Sequence, residues 1–269
     1  MHSGRKLLFF FLLAVSLLCG CSRQDERATN SHLEKIVVGI DKFEPYTYLD
    51  LDGDYTGVDI DLATIVFHRL GYEPEFQFIS WNDKNTYLAD GTIDCIWSCY
   101  SMNEREEEYQ WAGPYLYSRQ VIAVREDSDI YGFDDLAGKI IGVQATTRAA
   151  NLFLHTIESP LPEVQQVECF ASTEDMFAAI RKGYVDAVAG HEALVNEFIA
   201  NGNGEYRLLE ESPHVSKAGI AFEKGTHIEL TKEIDELIRE LSEDGTIGGI
   251  VEKYGLDPEK VVVGGADEK

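Results

Sequence analysis

The sequence predicts an α/β protein built as two lobes that face a cleft. Three observations carry that expectation. Short apolar runs alternate with helical segments from Ile36 to Tyr254, which argues for a largely parallel sheet with helices packed on it. The alternation occurs as two sets, each with a buried strand that opens into polar residues, the place where open α/β sheets bind ligands. The chain has 269 residues, 44% of them hydrophobic, enough for one or two cores.

The first stretch lies outside that fold. Arg5 and Lys6 precede an apolar run from Leu7 to Val15 that continues past Ser16 to Leu18, a positive region followed by an apolar one too short to span a bilayer. Leu18-Cys19-Gly20-Cys21 follows directly and resembles the bacterial lipoprotein signal, with Cys21 as the residue that becomes lipidated. Residues 1–20 are then a signal peptide, and residues 21–33, polar and without aromatics, a tether to an acyl anchor on the extracytoplasmic face. Losing Arg5 and Lys6 takes the net charge from −25 to −27. Such a surface excludes binding to nucleic-acid phosphates and favours cations at long range.

In chain order, Ile36–Ile40 reads as a buried strand that stops at Asp41-Lys42-Phe43-Glu44-Pro45-Tyr46. After a Leu-Asp-Gly-Asp turn, Gly57 opens a helix through Leu70; Asp59 and Asp61 in its first turn read as structural, favouring the helix dipole. Phe76–Phe78 alternates like a strand and leads to Trp81, a polar helix runs to Gly91, and Ile93–Trp97 is a strand. Past Pro114, strands are predicted at 120–124, 140–143, 164–170 and 187–189, with helices at 133–138, 146–154 and 173–182. Ile220–Phe222 is a further strand. Leu230–Leu241 is an amphipathic helix, and a last helix covers 247–254.

The most informative stretch is residues 94–115, where a short apolar strand runs into Ser98, Cys99 and Ser101, and Arg105 follows four residues later. An Arg at such a strand end can grip a carboxylate through its bidentate fork. It can equally be a surface residue paired with Glu104, Glu106, Glu107 or Glu108. Cys95 and Cys99 would be up to ~13 Å apart on an extended strand, too far for a disulfide without a turn. No CxxC or His-rich spacing suggests a metal, and no cofactor is expected.

Five segments together resemble the bacterial extracellular solute-binding proteins of family 3. They are Gly57-Val58-Asp59-Ile60-Asp61-Leu62-Ala63, Gly142-Val143-Gln144 with Thr146-Thr147, Gly183-Tyr184-Val185-Asp186-Ala187-Val188, Glu243-Asp244-Gly245-Thr246 and Glu252-Lys253-Tyr254-Gly255. The resemblance covers residues 34–256. It implies a periplasmic-binding-protein-like fold of type II: two Rossmann-like lobes joined by two hinge strands, with the ligand in the interlobe cleft. Lobe 1 would take residues 34–117 and 219–260, lobe 2 residues 118–218, and residues 261–269 a C-terminal tail.

The same resemblance supplies site roles. Arg105 matches the Arg that holds the ligand α-carboxylate, and Ser101 a hydroxyl ahead of it. Ser98 matches a residue whose carbonyl meets the ammonium. Thr146 and Thr147 match the second-lobe threonines at a helix start, with Ala145 in place of the usual Gly. Phe43 and Trp81 match the aromatics that sandwich the ligand side chain, and Asp41 a position that meets a polar ligand group. The slot that usually holds an ammonium-binding Asp is His191, followed by Glu192. Either Glu192 takes over that charge, the preferred reading, or the ligand is not an ordinary α-amino acid. The resemblance therefore implies a monomeric lipoprotein that captures a polar amino acid, or a close analogue, for the permease of an ABC importer. The alternatives are a cyclohexadienyl-dehydratase-like enzyme on the same fold, with His191 or Glu192 as general acid, and a ligand-sensing partner of a membrane signalling protein. Asp41, the aromatic pair and the negative charge lean towards a cationic or donor-bearing ligand side chain.

Overall fold

The computed structural model describes residues 33–155, 161–202 and 204–262. The expected signal peptide, Cys21 and nearly all of the tether and tail therefore lie outside the described residues. In order, the strands are β1 (Glu34–Ile40), β2 (Tyr48–Leu49), β3 (Tyr55–Thr56), β4 (Tyr72–Phe78), β5 (Cys95–Ser101), β6 (Gln110–Arg125), β7 (Ile140–Gln144), β8 (Gln166–Phe170), β9 (Ala187–His191), β10 (Tyr206–Leu208) and β11 (His214–Phe222). The helices are α1 (Val58–Arg69), α2 (Lys84–Ala89), α3 (Arg148–Leu154), α4 (Thr173–Arg181), α5 (Glu192–Asn201), α6 (Ile228–Glu243), α7 (Thr246–Lys253) and α8 (Pro258–Val261).

One path of hydrogen-bonded strands runs β4-β1-β5-β11-β6-β9-β7-β8, with β10 also paired to β6. The outer pairs are parallel, β1 with β4 and β5 at one side and β7 with β8 and β9 at the other. The centre is antiparallel: β11 pairs with both β5 and β6, and β6 with β9. This corrects the largely parallel sheet expected from alternation. β6 is long enough to belong to both sets of strands, its first half on β11 and its second, from Gln120 to Val124, on β9.

Each set of strands carries apolar residues on both faces, because successive side chains on a strand point opposite ways. In β5, Cys95, Trp97 and Cys99 join a core with α1, α6 and α7, whereas Ile96 and Tyr100 join Trp81 and Leu88 on the other face. In β6, Val121 and Ala123 meet Met176, Phe177 and Phe198 from α4 and α5, while Ile122 and Val124 meet Ala149 and Ala150 from α3.

The segment that resembles the family signature fixes how α1 enters. Gly57 has φ 128°, and a Cβ there would lie 2.1 Å from the Tyr46 carbonyl oxygen, so only glycine fits. Asp59 is buried and accepts hydrogen bonds from the Cys99 backbone N–H (2.6 Å) and the Tyr115 hydroxyl (2.9 Å). Burial pushes its carboxyl up to about 7. Asp61 reaches the other way, to Lys253 Nζ (2.6 Å) and the Tyr254 hydroxyl (3.0 Å), and so ties α1 to α7 and its C-terminal end. One Asp thus holds the strand that carries the site, and the other holds the closing helix.

Candidate functional site

The C-terminal ends of β1, β5, β7 and β9 converge on a cleft that the second half of β6 closes at its base. Two adjoining pockets make it up, sharing Asp41, Phe43, Gln144, Thr147 and His191. Trp81, Ser98, Ser101 and Arg148 line the first; Gln120, Met176 and Leu194 line the second. Arg105 and Thr146 line a neighbouring pocket together with Lys84 and Tyr100. Of the residues expected at the site, then, seven line the cleft pockets and two the pocket beside them. Glu192 lines none of these. Its Oε1 is in an ion pair with Arg119 (3.1 Å) rather than in the cleft, where it was expected as the counter-charge. One step past the end of β9, its side chain leaves the direction that His191 takes into the cleft.

Asp41 is the acid that remains in the cleft. Its Oδ2 accepts from Gln144 Nε2 (2.8 Å), its Oδ1 from the Lys42 backbone N–H (2.9 Å), and its own N–H donates to Ser98 Oγ (3.1 Å). Burial raises its carboxyl above the ordinary value, and the two hydrogen bonds oppose that. The Ser98 hydroxyl also meets Thr47 Oγ1 at 3.1 Å, so this serine pins the loop after β1. His191 Nδ1 lies 2.9 Å from Ser118 Oγ and its ring 5.1 Å from Phe43. Burial, then the Arg105 charge, lowers its pKa to about 4, so the imidazole is neutral at pH 7.

Arg105 is buried, 5% exposed, which sets aside the surface reading. Its Nη1 donates to the Ser101 carbonyl (3.2 Å), its Nη2 to the Thr146 carbonyl (3.3 Å), and the guanidinium stacks on Tyr100. Lys84 sits beside it, likewise buried. It donates to Thr146 Oγ1 (2.8 Å) and the Trp81 carbonyl (3.1 Å), and burial, then the nearby Arg105, lowers its pKa to about 8. Thr146 receives both cations from a left-handed backbone, φ 60°. Thr147 caps α3, accepting from the Ala150 N–H, and its hydroxyl donates to the Gln144 carbonyl. Ser101 Oγ turns to Asn103 Oδ1 at 3.2 Å.

Trp81 lines the cleft but is only 7% exposed and packs edge-on against Tyr100 at 5.2 Å, with Lys84 over its ring. Trp81 is thus largely a core residue that also lines the cleft. Sequence reasoning missed Lys84, Gln120, Gln144 and Arg148. Gln144 and Arg148 flank the Thr pair, and that position next to a recognised segment was the available signal.

The geometry defines a class: an α/β solute-binding protein whose two sets of strands close on a polar cleft. The model of the bacterial extracellular solute-binding proteins, family 3, matches residues 36–257, and the chain belongs to that family. Its fold is that of the type II periplasmic amino-acid-binding proteins. It is similar to the L-cystine-binding protein TcyA of Bacillus subtilis, 26% identical over 271 residues that cover 94% of this chain and 98% of the relative. It is also similar to TcyJ, the L-cystine-binding protein of Escherichia coli, at 25% identity over 96% and 98%. Among solved structures, an ABC uptake transporter substrate-binding protein from Streptococcus pneumoniae with bound histidine is 27% identical, with a TM-score of 0.75 over 83% of this chain and 93% of that one. A mutant of ArgBP from T. maritima is 28% identical, with a TM-score of 0.72 over 82% and 95%.

Proposed function

We propose that this chain is the extracytoplasmic substrate-binding component of an ABC importer for a polar amino acid, held to the membrane through lipid on Cys21. The observation that carries the reading is Arg105, a buried guanidinium at the end of β5 with only carbonyl oxygens as partners among the described residues. Its charge needs an anion, and the ligand α-carboxylate supplies one. Asp41 takes the ammonium, since Glu192 is engaged with Arg119. The lobes are residues 34–117 with 219–260, and 118–218; β6 and β11 are the hinge strands between them, and the lobes close over the ligand by bending there. The protein acts as a monomer and hands its ligand to the permease.

The binding reading is favoured over a dehydratase because neither of the two residues expected as its general acid is set up as a proton donor. His191 is neutral at pH 7, and Glu192 points to Arg119.

Isothermal titration after a thermal-shift screen against the amino acids tests this reading. A ligand at ~100 times its dissociation constant adds about 2.7 kcal/mol of stability. Arg105→Ala is expected to lose about 2–5 kcal/mol of binding, on the order of 30- to 4,000-fold. Arg105→Lys should recover only part of that loss. An Arg105→Ala affinity within threefold of the parent rules out the carboxylate grip.

A further inference from the structure

Buried polar groups in a folded protein are nearly always partnered, so each exception calls for a reason. Among the described residues the exceptions are Trp81 Nε1, Trp97 Nε1, Gln120 Oε1, Arg148 Nε and Nη1, and His214 Nε2; Trp81, Gln120 and Arg148 line the cleft, whereas Trp97 and His214 do not. Trp81 Nε1 and Arg148 Nε, both buried, have no hydrogen-bond partner, and both residues line the pocket that Asp41 and His191 share. In the adjoining pocket Gln120 Oε1 is buried without a partner, while its Nε2 is occupied by Ser216 Oγ (2.9 Å). Two residues with an orphan donor therefore line one pocket of the cleft, and a residue with an orphan acceptor lines the other.

The charges repeat that polarity. Lys84, Arg105 and Arg148 are buried cations, 3%, 5% and 4% exposed. Among the described residues, neither Lys84 nor Arg105 has a carboxylate within ion-pair distance; Arg148 has Glu104, whose side chain is 46% exposed. Of the acids lining these pockets, Asp41 is half-buried and Glu108 exposed. A single α-carboxylate at Arg105 leaves Arg148 Nε and Trp81 Nε1 unmet, and it leaves buried positive charge in excess. A cationic side chain would add to that excess, which argues against the lean towards cationic ligands drawn from Asp41, the aromatic pair and the negative charge.

We propose that Arg148 and Trp81 form a second acid seat, and that the cleft selects amino acids carrying two acid groups. One acid group sits at Arg105 beside Lys84, and the other accepts from Arg148 Nε and Trp81 Nε1. The ammonium then lies between Asp41 and Gln120 Oε1. The inference rests on the amino-acid-binding reading above and narrows it to a ligand class. Aspartate and glutamate have this chemistry with a single ammonium; cystine also has two carboxylates but brings a second ammonium with the second of them, so the reach between the two seats and the room for that extra charge decide between them.

The test is a titration of the full-length protein against aspartate, glutamate and cystine, with glutamine, histidine and arginine as single-acid competitors. One of the diacids is expected to bind at least tenfold more tightly than any competitor. Trp81→Phe keeps an aromatic ring at the site but removes the indole N–H with part of the bicycle; it is expected to weaken that diacid about tenfold or more and a single-acid ligand much less, since a hydrogen bond to a charged group is lost, and a urea melt of the ligand-free variant checks that the fold has held. Arg148→Gln should weaken it further, and a urea melt of the ligand-free variant shows whether the fold has held. If Arg148→Gln fails to fold, Trp81→Phe alone decides. A single-acid amino acid that binds best, with Trp81→Phe unchanged towards diacids, overturns the second seat and leaves the transport reading standing. Failure of every amino acid to bind overturns both.

Discussion

His191 is buried neutral, and its low pKa has a consequence for stability. Its folded value of about 4 lies below the 6.5 of the unfolded chain, so between those pH values the unfolded state binds more protons. Stability is therefore lost as pH falls from 6.5 through 4. His214, also lowered to about 4, adds to the same slope, and Asp59 opposes it: raised to about 7, it makes the fold less stable as pH rises from 3.8 to 7. The contribution of His191 appears as a difference. His191→Gln should lose less stability than the parent between pH 6.5 and 4.5 in paired urea melts, and parallel curves for the two proteins would contradict the buried-neutral assignment. Trp81 yields a second residue-scale expectation. Packed against Tyr100 and Leu88, its truncation to alanine should cost about 3–5 kcal/mol of folding stability, which a urea midpoint measures. How far such residues could be read from sequence depended on what defines them. Asp41, Phe43, Ser98 and His191 lie in or just past strands β1, β5 and β9, and the family resemblance singled them out. Arg148 and Gln120 matter through partners they lack, and a missing partner exists only once two distant segments have met.

At the scale of elements, α1 shows why a short signature needs each of its residues. Gly57→Ala would drive a Cβ into the Tyr46 carbonyl at a backbone angle that alanine resists, and a loss of more than about 2 kcal/mol is expected, read from thermal or urea midpoints. A near-silent Gly57→Ala would mean that the turn before α1 relaxes freely. The helices with strong apolar periodicity, α1, α4 and α6, were legible in advance to within a few residues. β6 was legible only as 120–124, because Gly113-Pro114 reads as a break and a proline demotes a strand; the strand in fact runs from Gln110 to Arg125. The front half of β11, His214–Gly219, is polar in alternation and buried on one side only, and α5 was missed outright. Each miss lies at or beside the crossing between the two sets of strands, where tertiary pairing rather than local pattern sets the structure.

At the scale of the molecule, the net charge of −25 and the buried cations of the cleft pull apart. Long-range repulsion of an anionic ligand by the surface is screened by salt, while the buried seats are not. Affinity for an acidic ligand should therefore hold or rise as salt goes from 20 to 200 mM, whereas affinity for a cationic one would fall; titration at the two salt concentrations separates them. Among the described residues no helix is long and apolar enough to cross a membrane. The proposed attachment is through lipid on Cys21, and Cys21→Ser should shift the protein from the membrane fraction to the soluble one. A variant that stays with the membrane would point to another anchor.

The crossing of β6 and β11 also sets an order of assembly. The core around Val38, Phe67 and Trp97 includes Ile220, Phe222, Ile234, Leu241 and Val251, contributed by the far end of the chain. β11 inserts between β5 and β6, so the first strands made wait for one of the last. The other set, Val121 to Leu209, is continuous in sequence and can pack as soon as it emerges. A nascent chain therefore completes its middle before its beginning, and contacts of such long separation close slowly. A fragment ending at Glu211 should show protected amides in β7, β8 and β9 but none in β1 and β5, and hydrogen exchange reads that difference strand by strand.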